Sequence, residues 1–116
     1  MKVIIAGSRS GRPEHELYDA VTASGFEVTE IVQGGALGVD AQADAMARVL
    51  DIPVTVFRAD WQLMGKAAGP MRNRMMAKYA DALIALEGGD GTRNMIRTAR
   101  RYGLAVYVHP PSGATE

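Results

Sequence analysis

Short apolar runs alternate along the chain with longer segments whose apolar residues recur at helical spacing. Residues 3–6, 28–32, 54–57, 82–86 and 104–108 are brief and rich in aliphatic side chains, the pattern of strands covered on both faces. Between them, residues 13–24 predict a helix burying Leu17, Ala20 and Val21, with Pro13 in its first turn and Gly25 as its stop. Residues 39–50 predict a second helix, with Ala43, Met46, Ala47 and Leu50 at i, i+3, i+4 and i+7. A third helix starts at Pro70. A fourth spans 91–102, burying Met95, Ile96 and Ala99 and closed by Gly103.

Buried strands separated by helices predict an α/β fold: a Rossmann-like, doubly wound, five-stranded parallel sheet. Right-handed crossovers favour the strand order 3-2-1-4-5, with strands 1 and 4 adjacent where the winding reverses. Residues 1–109 read as one domain and 110–116 as a flexible tail.

Three strands end in glycine-rich turns that open helices, at residues 3–11, 31–40 and 83–92. Such a turn aims unpaired N–H groups and the positive end of a helix dipole at one point, which suits a phosphate. Gly88, Gly89, Gly91 and Thr92 form the strongest of these candidates. The competing reading is a tight turn with Thr92 as helix cap. Gly7, Ser8 and Arg9 follow the central strand and suit a ribose or a second phosphate; a solvated Arg9 is the plainer alternative. Gly34 and Gly35 are balanced between ligand contact and turn, and Asp40 reads mainly as a cap for the second helix.

The stretch from Arg58 to Tyr79 is longer than its helix requires. Gly65 to Gly69 reads as a flexible, small-residue segment, and Arg72, Asn73 and Arg74 fall in the first helical turn, where cations oppose the dipole unless an anion is present. Asp60 and Trp61 read as a turn residue and a core aromatic, or as an indole flanking a base. Met71, Met75, Met76 and Tyr79 read as a stripe of core or subunit interface, from which a homo-oligomer, most simply a dimer, is expected. Arg93, Arg97 and Arg100 read as a solvated face.

These motifs resemble the SLOG superfamily, and most closely its YspA-like (cpYpsA-related) branch, common in bacteria and phages. The resemblance rests on GSR after strand 1, GGALGVDAQA after strand 2, ADW and GKAAGPMRNRMM before strand 4, and GGDGT after it. It implies a Rossmann-like domain that binds nucleotides or nucleotide-derived molecules such as ADP-ribose, as a sensor or a sequestering protein. LOG-type phosphoribohydrolases of the superfamily cleave the N-glycosidic bond of nucleoside monophosphates with a Glu three residues past a Gly-Thr pair. In this chain that position holds Met95, and Glu87 stands where those enzymes have Pro. Their catalytic Arg aligns near Arg72 and Asn73. Were this chain a hydrolase, Arg72, Asp60 and Glu87 would be its catalytic candidates, with Asp90 a further carboxylate near the motifs. A third reading follows the DNA-binding relatives, of which DprA is one.

Composition narrows these readings. Among 116 residues, 13 basic and 13 acidic side chains cancel, which argues against a chain that wraps nucleic acid. No cysteine is present, so thiol catalysis and Cys-type zinc sites are excluded. His15 and His109 have no neighbours in metal-ligand spacing, and no metal is expected. Neither GxGxxG nor GxxxxGK[ST] occurs, so no dinucleotide or ATPase cofactor loop is expected. No apolar run approaches the roughly 20 residues a membrane span needs, and a cytoplasmic location is the expectation.

Overall fold

The computed structural model describes residues 1–111, so most of the tail expected over 110–116 lies outside the described residues. Five strands, β1 (Lys2–Ala6), β2 (Glu30–Gln33), β3 (Val54–Val56), β4 (Ala82–Leu86) and β5 (Ala105–His109), form one sheet in the order β3-β2-β1-β4-β5. Every pairing is parallel. The fold is the doubly wound Rossmann-like sheet that the apolar pattern predicts.

Alternation along β1 explains the two layers of helix. Val3 and Ile5 point to one face, where α1 (Glu14–Ser24) and α2 (Val39–Leu50) supply Leu17, Ala20, Ala43 and Met46. Ile4 points to the other, where α4 (Ala68–Tyr79) and α5 (Asp90–Arg101) supply Met76, Ala77, Met95 and Ala99. All five residues of β4 are buried, so truncating Leu83 or Ile84 to Ala removes about 2–5 kcal/mol. No helix among the described residues is long and apolar enough to cross a membrane.

Several local expectations are corrected. The segment 61–67, expected as turn and flexible stretch, forms α3 (Trp61–Met64) and a 3-10 turn (Gly65–Ala67) that leads directly into α4. The Asp60 carboxylate accepts from the Leu63 N–H and so caps α3. Because α4 begins at Ala68, Arg72 is its fifth residue rather than part of its first turn. The strand expected from Val28 begins at Glu30. Leu50, expected in the core, is exposed, because α2 ends there and Asp51 turns the chain away with a left-handed backbone. The methionine stripe divides: Met76 is core, whereas Met75 is exposed.

Candidate functional site

Parallel strands all deliver their C-terminal ends to one edge of the sheet, and the reversal of winding between β1 and β4 opens a crevice there. This crevice encloses about 980 Å³. Every candidate ligand residue named from the sequence except Gly88 lines it: Gly7, Ser8 and Arg9 after β1, Gly34 and Gly35 after β2, Arg72 and Asn73 from α4, and Gly89, Gly91 and Thr92 at the start of α5. Gly88 packs beneath: a Cβ there would lie 2.8 Å from the Ser8 nitrogen, so this glycine lets the β1 and β4 turns touch.

The start of α5 is open. Its N-cap is Gly89 and no side chain caps it, so the first-turn N–H groups face the crevice without an acceptor among the described residues. Thr92 is buried within that turn and does not take the capping position the plainer sequence reading gave it. Gly89 has an ordinary negative φ, and a Cβ built on it meets nothing within 4 Å. The space above this turn is therefore empty of protein.

The loop after β2 is closed by contrast. Asp40, buried in the first turn of α2, does not cap that helix; its Oδ2 accepts from the Gly34 and Ala36 N–H groups, both at 3.1 Å. Gln33 takes the Gly35 N–H. Gly34 and Gly35 thus line the crevice with their N–H groups already occupied. Gly38 holds φ at +71°, and a Cβ there would fall 2.3 Å from the Ser8 carbonyl oxygen, whose acceptor capacity is used by the Val39 N–H.

Arg72 joins the two turns. Its Nη1 donates to the Gly34 carbonyl at 2.8 Å and its Nε to Asn73 Oδ1 at 2.9 Å, leaving Nη2 with no protein acceptor among the described residues. Burial holds its pKa below the usual guanidinium value; the charge of Asp40 opposes this and that of Arg9 adds to it. Two guanidinium groups thus converge on one crevice, an arrangement that an anion relieves. Burial likewise raises the Asp40 pKa, against the Ala36 N–H, the Arg72 charge and the Gly34 N–H.

Asn73, named from the sequence as a ligand contact, is buried and occupied by the protein. Its Oδ1 takes Arg72 Nε, while Nδ2 donates to Asn94 Oδ1 at 2.9 Å and to the Gly91 carbonyl at 3.4 Å. It positions Arg72 against the α5 turn. The carboxylates named for a hydrolase are not gathered in the crevice: Asp60 caps α3, and Glu87 faces a separate groove on the other side of α5 with Arg93, Ile96 and Val108. Asp90 lines the crevice but is exposed and pairs with Arg93. Met95 is buried and lines the crevice.

Sequence reasoning gave Arg58 no role and placed Arg97 on a solvated face; both line the crevice. Arg58 stands two residues past β3, and the rule that parallel strands end at one edge was enough to find it. Arg97 lies seven residues after Asp90, hence on the same face of α5. Trp61, expected in the core as one of two readings, is half-exposed at the crevice with its indole 3.1 Å from a Cβ at Gly69. Among the described residues no group of three or more His, Cys, Asp or Glu could hold a metal ion.

Fold and site together define a Rossmann-like domain with an arginine-lined crevice at its switch point. The chain is similar to the Gene 61 protein of Mycobacterium phage D29, 33% identical over 117 residues that cover 90% of this chain and 93% of that protein. It belongs to the family of that phage gene product. No family model matches the chain.

Proposed function

We propose that the crevice binds a nucleotide-derived small molecule, with phosphate on the open turn of α5 and Arg72 and Arg9 as its counter-charges. The observation that carries this reading is the half-buried Arg72 guanidinium, held by two protein bonds with Nη2 spare, beside an uncapped helix start. The likeness of the glycine motifs to the SLOG superfamily supports it, and makes the YspA-like branch the nearest functional model. Ligand sensing or sequestration fits better than LOG-type hydrolysis, because Met95 can neither carry charge nor move a proton. The half-exposed Trp61 offers a face for a base.

Mass spectrometry of the small molecule released by denaturing the purified protein tests this reading, together with titration calorimetry using AMP, ADP and ADP-ribose. The reading expects a phosphorylated nucleoside derivative and a loss of binding in Arg72→Ala. A protein that carries and binds no such molecule contradicts it.

Self-association belongs to the same proposal. Leu63, Trp61 and Met75 are 76%, 50% and 57% exposed along α3 and α4, more apolar surface than a helix pair leaves to water without a partner. Sedimentation at micromolar concentration is expected to give a mass near twice 12.4 kDa, and a clean monomer contradicts it.

A further inference from the structure

Asp40 is only 8% exposed, yet it lines the crevice. Its two oxygens have different surroundings. Oδ2 is fixed by the Gly34 and Ala36 N–H groups, whereas Oδ1 accepts no hydrogen bond among the described residues. No fully buried side-chain oxygen among those residues lacks a partner, so Oδ1 reaches the open space of the crevice.

Apart from the exposed Asp90 carboxylate, which pairs with Arg93, the other charged groups that line this space are donors: the side chains of Arg9, Arg58, Arg72 and Arg97, joined by the first-turn N–H groups of α5. An ionised carboxylate only accepts. It therefore repels a phosphate and is satisfied by a donor that the ligand brings. The sugar of a nucleotide carries such donors next to its phosphate, and a dideoxy sugar lacks them.

We propose that Asp40 is the hydroxyl-reading group of the site, and that it selects phosphorylated molecules with a free sugar hydroxyl over their deoxy counterparts. This rests on the nucleotide-binding reading above and adds an orientation to it: phosphate toward α5, sugar hydroxyl toward the β2–α2 loop. Arg72 lies between the two, one nitrogen on Gly34 and the spare one toward the phosphate. A hydrogen bond to a charged group makes the expected discrimination roughly tenfold to hundredfold in affinity.

Titration calorimetry with ADP, 2′-deoxy-ADP, 3′-deoxy-ADP, 2′,3′-dideoxy-ADP and inorganic pyrophosphate tests the proposal, on the unmodified protein and on Asp40→Asn. Asparagine keeps a carbonyl oxygen for the Gly34 and Ala36 N–H groups but turns an NH₂ donor toward the crevice. The unmodified protein is expected to bind ADP at least about tenfold more tightly than the dideoxy form, the monodeoxy pair showing which hydroxyl is read. In Asp40→Asn, whose NH₂ can donate to a hydroxyl but carries no charge, that preference is expected to shrink while pyrophosphate binds at least as well. Equal affinity for ADP and dideoxy-ADP in the unmodified protein overturns the role of Asp40 and leaves nucleotide binding standing. So does a preference that is undiminished in Asp40→Asn. Failure of the unmodified protein to bind ADP or pyrophosphate at all overturns both. The analogue series on the unmodified protein decides the matter alone if Asp40→Asn does not fold.

Discussion

The turns that follow β2 and β4 share a composition and differ in what their backbone does. Each is glycine-rich, each follows a buried strand, and each opens a twelve-residue helix. After β2, side chains of the chain itself take the free N–H groups: Asp40 holds Gly34 and Ala36, and Gln33 holds Gly35. Both helices lack a side-chain cap, but after β4 no side chain among the described residues takes a loop N–H either. The difference lies in two polar side chains, Asp40 and Gln33, folded back onto the loop. A glycine-rich turn becomes an anion site only when nothing in the protein has already answered its donors.

Substitution at the two turns should therefore fail in different ways. Gly38→Ala is expected to have the largest effect, and on stability. It forces a Cβ to 2.3 Å from the Ser8 carbonyl at a φ that L-residues rarely adopt. A cost of about 3 kcal/mol or more is expected, lowering the melting temperature by roughly 10 °C or more in thermal unfolding followed by circular dichroism. Gly89→Val is expected to do the reverse. The Cβ of the new side chain meets no protein atom within 4 Å, so the melting temperature should stay within a few degrees, the loss of a good N-cap residue costing about 1 kcal/mol at most. Binding of ADP should nonetheless fall at least about a hundredfold in calorimetry, a loss near 2.7 kcal/mol. Unchanged binding would place the phosphate elsewhere.

Arg72→Lys sharpens the comparison at the bridge between the turns. Lysine keeps the charge and loses the fork that holds Gly34 and Asn73 at once. Affinity is expected to drop roughly tenfold, and Arg72→Ala should drop it further. Restoration of full affinity by lysine would show that charge alone matters.

The smallest expected effect concerns pH. Asp40 has its pKa raised by burial, so the folded state holds that proton more tightly than the unfolded chain. Its contribution to stability is neutral below the ordinary carboxylate pKa and declines as pH rises from there through the folded value. Glu30 acts in the opposite sense: hydrogen bonds from Tyr79 and Thr55 lower its pKa, so its contribution is lost as pH falls. Denaturant unfolding of Asp40→Asn and the unmodified protein between pH 3.5 and 7 cancels the Glu30 effect. The difference should move in favour of Asp40→Asn as pH rises, and a difference independent of pH contradicts the assignment.

Much of this architecture was legible in the chain. Continuous apolar runs such as 82–86 fit strands covered on both faces and led to the parallel sheet, and the right-handed crossover rule then favoured its order. The turns that surround the crevice were legible because glycine beside a strand end is a local signal. What was hidden depends on distant partners. Nothing local shows that Asp40 folds back onto Gly34 rather than capping α2, or that Asn73 is consumed by Arg72, Gly91 and Asn94. Segment 61–67 was hidden for another reason. Trp61, Leu63 and Met64 are too few to set an apolar period before Gly65 interrupts them, and α3 buries none of its own side chains.

The contrast between the two turns is tested most directly by following backbone amides in a ¹H–¹⁵N NMR titration with inorganic pyrophosphate and then ADP. The account predicts large shifts at Asp90, Gly91 and Thr92, whose N–H groups gain an acceptor. It predicts only small ones at Gly34, Gly35 and Ala36, whose N–H groups already have theirs. Strong shifts in the β2 loop with the start of α5 unmoved would contradict it.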